Sequence, residues 1–145
     1  MARARIDART QVRLVLCNGV FDLLHVAHIR HLKEARSMGD RLVVGLTMDG
    51  HTGKPYPCII PEEERREMLQ ALGFVSGVSF CRTGVEALEQ WKPNIFCKGY
   101  DREMSGLQKA EADYCKDHGI EVRYTKENTL HTGQIIRRIK QCEFA

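Results

Sequence analysis

A chain of 145 residues is long enough for one domain with a substantial core and too short for two comfortable ones. Its 43% apolar content is ordinary globular usage, which excludes a disordered chain, and no apolar run reaches the ~20 residues that a membrane span needs. A net charge of +3 suits the handling of phosphates without requiring a nucleic-acid polymer as partner.

The opening segment, MARARIDARTQ, is basic but carries no apolar stretch of the kind a secretory signal needs. It predicts a flexible solvated arm over 1–11, followed by one folded domain over 12–145. Val12 to Cys17 predicts a buried strand that ends in the turn-like Asn18-Gly19. Ile29, Leu32, Ala35 and Met38 share one helix face, with Gly39 as the stop. Arg41 to Thr47 predicts a second strand, and a Gly/Pro-rich loop then runs from Asp49 to Ile60. Pro61 at the first helical position, three glutamates, then Met68, Leu69 and Leu72 predict a second helix. Beyond it come a strand over Val75–Phe80, a helix over Gly84–Trp91 and a strand over Asn94–Cys97. A helix over Met104–His118, a strand over Ile120–Tyr124 and a helix over Thr132–Gln141 complete the chain. Strands that alternate with helices build right-handed βαβ units, hence one α/β domain of the doubly wound, Rossmann-like kind around a five-stranded parallel sheet.

The six cysteines are scattered, with no pair in C-x-x-C spacing. Cys17, Cys81 and Cys97 fall in or at the end of apolar strand runs, where a thiol behaves as a small hydrophobe. Reduced, buried thiols and a cytoplasmic setting are the expectation.

In such sheets a ligand binds outside the carboxyl ends of the strands, so the strand-to-helix turns hold the candidate site. The first turn is the most informative. Gly19-Val20-Phe21-Asp22-Leu23-Leu24-His25-Val26-Ala27-His28 leads from strand one into helix one, and His25 and His28, three apart, share a helix face. At the positive end of a helix, with Gly19 allowing close backbone approach, two imidazoles and free N–H groups make a cradle for polyphosphate. The series His25, His28, His31 also admits a structural metal. Steps of three drift round a helix, however, and no acidic residue is adjacent, so no protein-held metal is expected.

At this point the segment resembles the cytidylyltransferase-like nucleotidyltransferases, whose signature is G-x-F-D-x-x-H-x-G-H. The resemblance extends over nearly the whole chain. PEEERREMLQAL looks like the family's helix bearing a nucleotide-binding Arg, here Arg65, and Lys54 lies in the loop of the family's catalytic lysines. CKGYD resembles the K-G-x-D turn, with Lys98, Gly99 and Asp101, and LHTGQIIRRI resembles the start of the closing helix. The resemblance implies an in-line displacement in which an acceptor phosphate oxygen attacks the α-phosphate of an NTP and pyrophosphate leaves. By carry-over His25 and His28 stabilise charge in the transition state, Lys54 approaches the α- and acceptor phosphates, and Arg65 holds the nucleotide. Thr132 meets the terminal phosphates, His131 beside it either replaces a lost donor or marks a different acceptor, Asp22 orients the first loop, with Gly19, Val20 and Phe21 beside the nucleotide, and Asp101 lies by the nucleoside. Magnesium travels on the triphosphate, and a homodimer is implied.

The sequence also departs from the family. Ala27 stands where the family has Gly, one lysine occupies the loop where relatives often carry two, and only Thr132 of three hydroxyls remains in the closing motif. Lys126 replaces an Arg of the choline- and glycerol-phosphate enzymes, which keeps charge and loses a bidentate fork. NGVFD and KGYD resemble heptose-phosphate adenylyltransferases, whereas Lys126 and the single lysine lean toward glycerol-phosphate cytidylyltransferases; CTP is slightly favoured over ATP. The PEEERREM helix also resembles archaeal FAD synthetases. The expected acceptor is a polyol or sugar phosphate. A catalytically weakened nucleotide-binding module is the alternative that Ala27 suggests. A nucleic-acid domain built on the arm and Arg137-Arg138-Ile139-Lys140 is a third; those residues fit a solvated helix face better. No nucleic acid and no membrane are expected as partners.

Overall fold

The computed structural model describes residues 11–126 and 130–143. The predicted arm therefore lies outside the described residues but for Gln11. The strands are β1 (Leu14–Gly19), β2 (Arg41–Thr47), β3 (Gly77–Cys81), β4 (Ile95–Lys98) and β5 (Glu121–Tyr124). The helices are α1 (Val26–Arg36), α2 (Glu62–Gln70), α3 (Gly84–Trp91), α4 (Tyr100–Ser105), α5 (Lys109–Asp117) and α6 (Thr132–Gln141). The five strands form one all-parallel sheet in the order β3-β2-β1-β4-β5. The expected doubly wound α/β fold is what the chain adopts.

Buried parallel strands read as continuous apolar runs because both their faces are covered. In β1, Val15 and Cys17 enter the core beneath α1 and α2 with Leu32, Ala35 and Leu69, while Leu16 faces α3 and α5 with Ala87, Leu88 and Cys115. The chain leaves β1 toward β2 and later returns across it to β4. The strand order therefore reverses between β1 and β4, and a crevice opens at their carboxyl ends. Cys17, Cys81, Cys97 and Cys115 are buried and, like Cys58 and Cys142, are free thiols. Among the described residues no helix is long and apolar enough to cross a membrane.

Local departures from the predicted elements have physical reasons. Asn18-Gly19 continues β1 instead of turning, because Gly19 pairs with Leu46 and the Asn18 amide donates to the Gly45 carbonyl (2.9 Å). Pro61 is the residue before α2, not its first residue: its ψ of 151° is extended, and its carbonyl accepts the Arg65 N–H (3.0 Å). The helix predicted over Met104–His118 is two helices, parted at Gly106, whose φ of +87° is a left-handed value that no helix interior contains.

Candidate active site

The turn from β1 to α1 is strained and anchored at once. Phe21 and Leu23 adopt positive φ (50° and 49°), which side-chain-bearing residues rarely hold without compensation. The compensation is Asp22, buried with both carboxylate oxygens in use. Oδ1 accepts the N–H groups of Leu23 and Ile60 (3.0 Å each), and Oδ2 accepts that of Ile59 (2.8 Å). Asp22 thus ties the first loop to the end of the lysine loop, which is the orienting role expected; its oxygens are spent on the protein, not offered to a nucleotide. Gly19 and Phe21 pack on each other. A Cβ at Gly19 would lie 3.0 Å from the Phe21 ring, so the space that the glycine leaves is filled by that ring. Phe21 is core, and it meets the His28 ring edge-on at 5.3 Å.

His25 caps α1, and a chain of bonds fixes its tautomer. Its Nδ1 accepts the Ala27 N–H (3.2 Å), which leaves the ring proton on Nε2, 3.3 Å from Thr132 Oγ1. The Thr132 hydroxyl in turn donates to the Asp22 carbonyl (3.2 Å). His28 stacks on His25 at 3.8 Å, and its Nδ1 accepts the His25 N–H (3.4 Å), so Nε2 is the protonated, donating nitrogen. The two imidazoles expected to cooperate are brought together, with the first turn of α6 against them. Thr132 spends its hydroxyl on this network and a capping box engages the His131 and Gln134 N–H groups, which leaves the N–H groups of Thr132 and Gly133 as the donors at the start of α6.

Arg65 is placed differently from the expectation that it grips the nucleotide. Its side chain is wholly buried. Nε donates to the Ile60 carbonyl (2.9 Å), one terminal nitrogen to those of Val20 (2.6 Å) and Thr47 (3.0 Å), and the other to Asp49 (2.6 Å). It is a keystone under the site. Asp49, the terminal Asp of the stretch HLKEARSMGDRLVVGLTMD that resembles the family and to which the sequence assigned no role, also accepts the first N–H of α2 from Glu62 (3.2 Å); an Asp two residues past a strand and 16 residues before a buried Arg is too diffuse a signal to reveal their pairing.

The remaining expected residues divide. Lys54 is exposed, its ammonium 5.9 Å from the Tyr56 ring centre, and near enough to His28 to influence its titration. Lys98, at the end of β4, is buried, 3.6 Å from Glu111 on α5 and over the Phe96 ring, and near enough to His31 to influence its titration. Gly99 precedes α4, and a Cβ there would lie 2.7 Å from the Asp101 carboxylate. Lys126 is exposed, with its N–H on the Glu34 carboxylate (3.1 and 3.2 Å). His131 precedes α6, exposed, its N–H on Gln134 Oε1 (3.1 Å).

Both imidazoles of the pair are held neutral. Burial lowers His28 to about 3, with the neighbouring His25, His31 and Lys54 adding to the fall. Burial and then His131 lower His25, and burial lowers His31 to about 4. The positive end of a helix also disfavours imidazolium, but burial comes first. A base whose folded pKa is depressed binds more protons when unfolded. Its contribution to stability is therefore complete above the unfolded value of ~6.5 and drains away as pH falls toward the folded value. Melting temperature is expected to fall steadily from pH 7 to pH 4, and His28→Asn should flatten that slope; an unchanged slope in the variant would show that His28 is not buried as described.

The sequence profile of the cytidylyltransferase-like family matches residues 16–132, from within β1 to the first residue of α6. The chain belongs to this nucleotidyltransferase family. It is 41% identical over 109 residues to the bifunctional protein HldE of Koribacter versatilis, a match covering 71% of this chain and 22% of that protein. It is 33% identical over 140 residues to the FAD synthase of Halomicrobium mukohataei, covering 88% of this chain and 94% of that one. The chain thus corresponds to a part of the first protein and to nearly the full length of the second. Among solved structures, the lipopolysaccharide core biosynthesis protein of Thermoplasma volcanium superposes with a TM-score of 0.69 at 28% identity, covering 82% of this chain and 100% of that one. The pantoate-beta-alanine ligase of Francisella tularensis (TM-score 0.54, 17% identity, 92% of this chain and 72% of that one) shares the fold.

Proposed function

We propose that this family member transfers a nucleoside monophosphate from an NTP to a small phosphorylated acceptor and releases pyrophosphate, without a covalent intermediate. The observation that carries this reading is the bonded junction of His25, Thr132 and Asp22, which sets the N-termini of α1 and α6 at one mouth of the crevice. The acceptor's phosphate oxygen, already anionic, attacks the α-phosphorus; the bond to the bridging oxygen breaks, and pyrophosphate leaves with its electron pair. No general base is required. What the reaction needs is positioning and relief of negative charge on the transferring group. His28, with its Nε2–H fixed by the bond at Nδ1, supplies a neutral donor to the α-phosphate, and Lys54 supplies the mobile cation. The open N–H groups of α6 receive the leaving pyrophosphate.

Magnesium on this reading rides on the triphosphate, because Asp22, the carboxylate of the histidine turn, has both oxygens engaged. It would offset phosphate charge there. Similarity to FAD synthases over nearly their full length favours ATP, whose adenylate such a product contains, before CTP, toward which Lys126 and the single loop lysine lean.

The test is pyrophosphate release with ATP, CTP, GTP and UTP across flavin mononucleotide, sugar 1-phosphates and glycerol 3-phosphate. Turnover with ATP and one acceptor is the expected result. Binding of an NTP with no release across the panel would favour the weakened module that Ala27 suggests, and no binding at all would refute the nucleotide site.

A further inference from the structure

His25, His28, His31 and Glu34 follow one another at intervals of three along α1. Each step of three falls about 60° short of a full turn, so their side chains form a slowly winding edge on the helix. That edge meets the segment joining β5 to α6 at both of its ends. At the far end His25 Nε2 lies 3.3 Å from Thr132 Oγ1. At the near end His31 Nδ1 lies 2.8 Å from Thr125 Oγ1, and the Glu34 carboxylate accepts the Lys126 N–H through both oxygens (3.1 and 3.2 Å).

Thr125 is a bridging point. It is buried, its N–H donates to the Lys98 carbonyl at the end of β4 (3.0 Å), and its hydroxyl meets α1 through His31. It therefore joins the last residue of β4 to the helix across the crevice where the strand order reverses. Were the His31 ring removed, a buried hydroxyl would lose its partner, and the near end would keep only the Thr125 bond to the Lys98 carbonyl and the Lys126 bond to Glu34. Nothing in the displacement chemistry uses His31 directly.

We propose that His31, with Glu34, is a positioning residue: it clamps Thr125 and Lys126 to α1, as His25 holds Thr132, so that the α6 N-terminus is kept where the terminal phosphates of the NTP bind. The inference rests on the proposed nucleotidyl transfer for its catalytic consequence, and its mechanical part stands apart from it. On the proposed reading the clamp acts on nucleotide binding and not on the acceptor, because the element it holds, the α6 N-terminus, is the one assigned to the terminal phosphates. A neutral imidazole suits such a clamp. Burial, in spite of the nearby Glu34 and Asp101 carboxylates and together with Lys98, keeps His31 uncharged at neutral pH.

The experiment compares His31→Phe and Thr125→Val, singly and together, with His31→Asn, which can restore a short polar group near Nδ1. Amide exchange is measured on the ligand-free protein. Faster exchange at Thr125, Lys126 and residues 130–134, with β1 unchanged and melting within a few degrees, is expected in both single variants. The double variant should be no worse than either, and His31→Asn should recover part of the protection. With ATP and magnesium, KM for the nucleotide should rise about tenfold, while kcat and acceptor KM stay within about twofold. Unaltered exchange, or additive losses in the double variant, overturns the clamp whether or not any NTP turns over. Faster exchange with an unmoved nucleotide KM, or with equal shifts in nucleotide and acceptor KM, overturns its catalytic role. Should His31→Phe fail to fold, Thr125→Val alone decides, since it removes one hydroxyl at nearly constant volume.

Discussion

Replacing His28 by alanine is expected to lower kcat by about two to four orders of magnitude while changing NTP affinity by no more than about threefold. The asymmetry follows from how the ring is held. Its Nδ1 is occupied by the His25 N–H, one side stacks on the His25 ring, and Phe21 meets it edge-on. The remaining nitrogen is a pre-oriented N–H donor that needs no reorganisation as charge builds on the transferring phosphoryl group. On the proposed mechanism a triphosphate in the ground state would keep the α6 N–H groups, Lys54 and its magnesium, so one missing donor should weaken binding little. As attack proceeds, no other group occupies the place of Nε2. His28→Asn, which retains an N–H donor in a shorter side chain, should recover part of the rate. Because the ring titrates at about 3 in the free protein, any acidic limb of kcat/KM between pH 5 and 8 should persist unmoved in His28→Asn. Equal losses in kcat and affinity would refute a transition-state role and make His28 a binding residue.

How much of this was legible in the sequence depended on whether local pattern and tertiary demand agreed. The β1–α1 turn was legible because an uninterrupted apolar run gives way to a polar turn and then to two histidines three apart. Only a helix N-terminus at the end of a buried strand satisfies that pattern economically. The start of α6 fell out for the same reason, with Thr132 its first residue as predicted. The polarity of individual residues misled where burial was decided from elsewhere in the chain. Arg65 lies in a run of glutamates whose other members are exposed or half-buried, and local pattern assigns such a residue to solvent. It is buried because Val20, Thr47 and Ile60, from three separate segments, turn their carbonyls toward it. Gly19 likewise suggests room for a ligand until the positive φ of Phe21 folds that ring back over it. The break at Gly106 went unseen because one glycine in a helical stretch costs only ~1 kcal/mol and does not by itself end a helix.

Arg65→Leu is therefore expected to act on folding before catalysis, by about 3 kcal/mol or more. The guanidinium makes bonds to three backbone carbonyls that face into a protected interior, and to Asp49 at the surface. The ion pair contributes the smaller share, because Asp49 is nearly half exposed and its charge is screened by water. The larger share is the cost of stranding those carbonyls without donors, and leucine satisfies none of them. Lysine keeps the charge but has no planar fork, so Arg65→Lys can meet some carbonyls and not all; an intermediate loss of about half is expected. The carbonyls in question belong to the histidine turn, the end of β2 and the end of the lysine loop. A variant that still folds should for that reason lose order at both loops together, and rate should fall with the order of the loops and not with nucleotide contact. Chemical denaturation of the three proteins measures the first claim. A wild-type midpoint in Arg65→Leu, coupled with a large rise in NTP Kd, would instead make Arg65 the direct nucleotide ligand that the family pattern implies, and the buried geometry a state that ligand binding opens.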